Sequence, residues 1–157
     1  MAPHKLLALK ISSMRYLKEG VSEEQFHDWA SNVHAPKAAN VQARHGALRI
    51  TQFHTPTATR NLIAQKMPAA IRPGWKIDDH DIVISFYVRT LEDFFKIVTD
   101  PEFQELYGGE SEVVALDKGT MTIGWEEVYV EDGKVVNVVD GRSAYPTFAE
   151  SSNLGQD

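Results

Sequence analysis

One proline inside an otherwise well-formed amphipathic helix constrains this chain more than any other feature. The stretch Val21 to Arg44 opens on Ser22, a good N-cap. Gln25 sits three residues on as a capping-box partner, and Glu23 and Glu24 suit the positive end of the helix dipole. Phe26, Trp29, Ala30 and Val33 then recur at helical spacing and predict a buried stripe. His27, Ser31 and His34 share a neighbouring face. Pro36 lacks an N–H and disfavours helical backbone at Ala35, so a break or kink is expected beside His34. A histidine there is either a solvated helix-end residue or one aimed off the helix into a cavity.

The pattern around this helix is β-α-β, a loop, then β-α-β. Lys5 to Ser13 predicts a first strand with Leu7, Leu9 and Ile11 on one face. Gly46 closes the helix. Ala47 to Thr55 predicts a second strand, alternating Leu48, Ile50, Gln52 and His54 against Arg49, Thr51, Phe53 and Thr55. Neither face is plainly apolar, as in a lined cavity or an edge or dimer-contact strand. A short helix is expected between Pro56 and Met67, then a loop from Pro68 to Asp81 long enough to act as a lid and carrying Trp75. Ile82 to Arg89 is the clearest strand; Ile82, Ile84, Phe86 and Val88 form an apolar face, and Val83, Ser85, Tyr87 and Arg89 a mixed one. Thr90 caps a helix, Pro101 restarts another, and Gly108 and Gly109 are expected to stop it. Gly119 to Val130 predicts a fourth strand, with a turn and a further strand to Val139. Residues from Asp140 are polar and aperiodic and are expected to be a mobile tail or an arm on a partner subunit. The order is that of a split βαβ, ferredoxin-like α+β fold. Helices on one side leave the other, mixed sheet face bare, and a second copy would cover it.

The 157 residues fit one domain, and a net charge of −6 with no basic run argues against a nucleic-acid surface. Without cysteine there is no disulfide and no thiol nucleophile. No apolar run approaches the ~18 residues of a membrane span. No signal-peptide cleavage region follows the first residues, so a cytoplasmic location is expected. The six histidines lack HxH or HExxH spacing, and no metal is expected. GxGxxG, GxxxxGKS and GxSxG are all missing from the sequence. Acid–base chemistry by histidine, tyrosine and carboxylate, without a cofactor, remains.

Each candidate also has a structural reading. His34 is the leading catalytic candidate, followed by His54 at a strand end and Tyr87 on the mixed face of a central strand. Trp29 fits the core as well as a ligand; Trp75 and Trp125 could line a pocket for a flat substrate or pack in the core. Arg49 could hold an anion or pair at the surface, and Phe53 could supply an apolar wall. His27 and His80 read as surface residues and His45 as a helix-end charge partner.

Phe26, Trp29, His34, Ala35 and Pro36 (F-x-x-W-x-x-x-x-H-A-P), the polar second strand, Asp100 to Phe103 (DPEF) and the closing Trp125-Glu126-Glu127 resemble the EthD-like branch of the dimeric α+β barrel proteins. Within it the chain resembles the small decarboxylases of fungal polyketide clusters, associated with loss of CO₂ from atrochrysone carboxylic acid. The resemblance spans about residues 5 to 130 and implies a ferredoxin-like fold, a homodimer, and a pocket between sheet and helices; the periodicity itself sets the domain at residues 1–139, with a polar tail at 140–157 that the resemblance does not cover. It implies a cofactor-independent decarboxylase of an aromatic polyketide acid. For such a reaction His34 is expected to be the proton donor, with a pKa near neutrality, and His54 and Tyr87 the donors to an enolate oxygen. A cofactor-free cyclase, dehydratase or oxygenase, and a non-catalytic carrier of a hydrophobic aromatic, are the alternatives.

Overall fold

The computed structural model describes residues 7–66 and 74–156. Its centre is a four-stranded antiparallel sheet in the order β2-β3-β1-β4, formed by β1 (Leu9–Arg15), β2 (Arg49–His54), β3 (Ile82–Val88) and β4 (Thr120–Gly124). Each half contributes strand, helix, strand, which is the ferredoxin-like arrangement. The first strand begins at Leu9 and runs two residues beyond the expected Ser13, and the fourth is confined to Thr120–Gly124.

Register decides which side chains meet the helices. Ile11 is paired with Phe86, and Ile50 with Phe86 from the other side, so Leu9, Ile11, Ile50, Ile82, Ile84, Phe86 and Val88 share one face. Against it pack Phe26, Ala30, Ala38 and Val41 of the first helical segment, with Ile97 of α4 (Leu91–Val98) and Phe103 of α5 (Pro101–Glu110). Gln52 and His54 also face the helices. Lys10, Ser12, Met14, Arg49, Thr51, Phe53, Val83, Ser85 and Tyr87 face the other way. At the middle of that outer face the Ser12 and Ser85 hydroxyls meet at 2.8 Å.

The first helical segment is continuous. It comprises α1 (Glu23–Asp28), a π-helical stretch (Trp29–His34) and α2 (Ala35–Arg44). The expected break at Pro36 is absorbed as a widened turn. The Ala35 N–H bonds back five residues to the Ala30 carbonyl, and Ala35 keeps helical backbone angles. The Ser22–Gln25 capping box forms as expected. Likewise α5 runs through Gly108 and Gly109 to Glu110, because neither glycine adopts a positive φ and Glu110 is held inside by an ion pair with Arg15.

The α3 helix (Thr57–Lys66) buries no side chain. It is held at its start, where Glu23 accepts from the Thr57 N–H and hydroxyl, and by Arg60, which donates to the carbonyls of Thr55 and His80. Part of the expected lid loop lies outside the described residues. Trp75 is 75% exposed.

The C-terminal residues carry more structure than an aperiodic tail. Two hairpins, β5 (Val130–Glu131) with β6 (Lys134–Val135) and β7 (Val138–Val139) with β8 (Arg142–Ser143), precede a short α6 (Phe148–Ser151). The Tyr145 hydroxyl accepts from the Val128 N–H and the Asn137 amide. Leu154 packs on the core, and Gly155, at φ 77°, lies so close to Leu9 that a Cβ would meet Leu9 Cδ1 at 2.2 Å.

Candidate active site

The π stretch changes which residues face the sheet. Phe26, Ala30, His34 and Ala38 are buried, a period of four where a regular helix has 3.6. Val33, placed inside by regular spacing, is 42% exposed, while His34 is 6% exposed. One extra residue in the turn therefore exchanges a valine for an imidazole in the interior.

His34 stacks obliquely on Trp29 with ring centroids 5.0 Å apart and meets the Phe103 ring at 6.3 Å. It lines a cavity of about 150 Å³ with Ala35, Ala38, Ala39, Gln42, Ile50, Gln52 and Ile84. Three alanines leave the room that larger side chains would fill. Nδ1 of His34 is buried with no hydrogen-bond partner among the described residues. A buried polar atom without a partner costs free energy until a ligand or water completes it, and at His34 the adjoining cavity has room for either. Burial, with a smaller push from the Arg15 charge, lowers the His34 pKa from 6.5 to about 4. The ring is neutral at pH 7, in contrast to the near-neutral proton donor expected from sequence.

A second cavity of about 220 Å³ lies nearer the start of α1, lined by Leu17, Glu23, Glu24, Phe26, His27, His54, Pro56 and Asp81. The His27 and His54 rings are 4.6 Å apart. Burial, then the neighbouring His27, pushes the His54 pKa down. Gln52 lines the first cavity and touches His54 of the second. Its amide nitrogen lies 2.9 Å from the Ala30 carbonyl, and its amide oxygen 3.2 Å from His54 Nε2.

The other sequence candidates lie elsewhere. Tyr87 projects from the outer face of β3, opposite His34, and donates to Glu126 at 2.9 Å. The Arg49 guanidinium and the Lys10 ammonium each stand 5.5 Å from the Tyr87 ring centre on that same face. Strand alternation separates Tyr87 and Arg49 from both cavities. Phe53, one residue from His54, is on the outer face for the same reason and 63% exposed. Trp125 donates to Glu127 and stacks on Phe148, outside both cavities. Trp29 stands beside His34.

Reasoning from sequence passed over Gln52, Gln42 and the Arg15–Glu110 pair. Gln52 did leave a signal: a polar residue between Ile50 and His54 on the face that turns out to meet the helices. His80, read as a surface residue, is buried and paired with Asp78 at 2.7 Å. Among the described residues no group of histidines and carboxylates is arranged to hold a metal ion.

The EthD domain profile matches residues 18–116. The chain belongs to the EthD family. A relative from Aspergillus terreus (strain NIH 2624 / FGSC A1156) named "Putative oxygenase" is 36% identical over 148 residues, covering 94% of this chain and 92% of its own length. A conidial pigment biosynthesis dehydratase EthD from Metarhizium robertsii is 32% identical, over 85% of this chain and 92% of that one. Decarboxylase nsrE from Aspergillus novofumigatus is 33% identical, over 85% and 86%. Among solved structures, an EthD family protein of Bacillus halodurans superposes with a TM-score of 0.51 at 13% identity, covering 77% of this chain and 99% of that one. That likeness agrees with the fold of this EthD protein. No helix among the described residues is long and apolar enough to cross a membrane.

Proposed function

We propose that this EthD protein is a cofactor-independent lyase acting on an aromatic polyketide acid, with decarboxylation as its reaction. The observation that carries the reading is His34: a neutral, nearly buried imidazole with an unpaired Nδ1, held against an alanine-lined hollow by a π-helical turn. The names of relatives in the family, decarboxylases and dehydratases among them, support the reaction class.

Decarboxylation releases CO₂ and leaves an electron pair on the ring carbon, delocalised into a neighbouring oxygen; one proton must then reach that carbon. A resting neutral His34 fits this balance. It accepts the proton of the incoming acid, becomes an imidazolium paired with the carboxylate, and returns the proton to carbon after CO₂ has left. The negative charge of the substrate brings an opposite charge to the imidazole and raises its pKa. Arg15, the cation whose charge reaches His34, is held in an ion pair with Glu110, which leaves it a poor clamp for a carboxylate whose charge moves away in the step. Each cavity is smaller than the roughly 300 Å³ at which small-molecule pockets begin. A polycyclic substrate would therefore engage both, across Gln52.

A second reading is dehydration of a hydroxylated polyketide, favoured by the same neutral imidazole, which is the form a base needs to remove the proton next to a carbonyl. Incubation with a panel of aromatic polyketide acids, followed by product mass, separates the two: loss of CO₂ supports decarboxylation, loss of water dehydration, and gain of oxygen an oxygenase. Tight binding without any product would leave a carrier protein. The same reading pairs two copies through the outer sheet faces, where Phe53 stands exposed.

A further inference from the structure

We infer that Gln52 is a positioning residue that fixes the tautomer of His54, leaving Nδ1 of that ring bare as a proton acceptor. The inference rests on the reading of the helix-facing cavities as the reaction site. The two ends of the Gln52 amide have different partners, and that decides its orientation. A backbone carbonyl only accepts, so the group 2.9 Å from the Ala30 oxygen is the Gln52 NH₂. The remaining end is the Gln52 carbonyl oxygen, which also only accepts. The His54 Nε2 that meets it at 3.2 Å must therefore carry the hydrogen. In a neutral imidazole the other nitrogen is then an unprotonated acceptor. His54 thus offers its site a base through Nδ1, in place of the expected donor to an enolate oxygen.

The π-helical stretch lies at the head of this chain of contacts. The Ala30 carbonyl receives both the five-residue backbone bond from Ala35 and the Gln52 amide. Gln52 itself lines the His34 cavity, while His54 lines the neighbouring one beside His27, Glu23, Glu24 and Asp81. The turn that brings His34 inside is thereby bonded, through one side chain, to the residue that orients the second imidazole. A substrate spanning the two cavities would meet neutral imidazoles at two points, and Gln52 keeps one of them in its acceptor form.

The test is ¹⁵N NMR of the imidazole nitrogens at pH 7, which reads tautomers directly and needs no substrate. In the wild-type protein His54 should show a protonated Nε2 and a bare Nδ1. In Gln52→Met, of similar length but without hydrogen-bonding groups, that preference should be lost, and kcat should fall by about 10-fold or more, within the loss that follows when an acid–base group is disabled. Gln52→Glu, which retains an acceptor, should keep Nε2 protonated. A wild-type His54 protonated on Nδ1 and bare at Nε2 would overturn the inference without any variant. So would a folded Gln52→Met protein with an unchanged tautomer or unchanged kcat. If instead His34→Gln left turnover intact while the His54 tautomer was as described, the proposed reaction site would fail and the assignment at Gln52 would stand.

Discussion

At the scale of single residues, His34 concentrates the argument. Losing an acid–base group usually costs about 10²–10⁴ in rate, so His34→Gln should lower kcat by that order while circular dichroism and thermal melting show an intact fold. The same residue ties stability to pH. Its pKa is about 4 in the folded chain and 6.5 without burial. Between those values the unfolded chain binds the proton and the folded chain does not, so stability is complete above pH 6.5 and is lost as pH falls towards 4. His34 contributes at most about 3 kcal/mol to that loss. In His34→Gln the fall in melting temperature across this window should become shallower; an identical pH profile would show that the ring is not buried neutral. The identity of His34 as a candidate was legible beforehand, from the H-A-P sequence. Its charge state was not, because desolvation depends on Trp29, Phe103 and the alanines that surround it only after folding.

At the scale of elements, the widened turn is the decisive feature. Proline at position 36 was visible in the sequence as an obstacle to a regular helix, and a break was the natural expectation. A π turn is another solution to the same missing N–H, and it is favoured when tertiary packing rewards continuity: Phe26 and Ala30 before it, and Ala38 and Val41 after it, all bury against one sheet. Restoring the N–H with Pro36→Ala should permit regular winding, turning Val33 inward and His34 outward. NMR titration should then find the His34 pKa raised from about 4 towards 6.5, with kcat reduced although the helix content is kept. An unmoved pKa would mean that packing alone, without the proline, holds the turn. The strands were easier to read. Alternation in Ile82 to Val88 and Arg49 to His54 assigned residues to faces correctly, and it places Tyr87, Arg49 and Phe53 on the outer face while the two cavities lie on the helix side.

At the scale of the whole molecule, the sheet has helices on one face and a mixed surface on the other. Lys10, Glu126, Tyr87 and Arg49 form a charged and aromatic group there, with Phe53 exposed beside them on β2. If two copies pair through this face, Phe53→Glu should shift the protein to monomer in analytical ultracentrifugation while leaving the His34 and His54 signals unchanged. A dimer that survives the substitution would move the interface elsewhere. The C-terminal residues belong to this scale too. Polar composition suggested a loose tail, but hairpins, the Tyr145 anchor and Leu154 on the core tie the segment back to the sheet.

Local chemistry alone was enough to determine the order of the four main strands and the helices between them, the capped start of the first helix and the presence of an anomaly beside His34, because periodicity, capping and the missing proline N–H all act over a few residues. Only the tertiary structure decided that the anomaly is a π turn, that the His34 ring is neutral, and that Gln52 stands between two histidine-lined cavities. Those outcomes depend on contacts such as Ala30 with Gln52, twenty-two positions apart in the chain, and on burial that no single stretch of sequence contains.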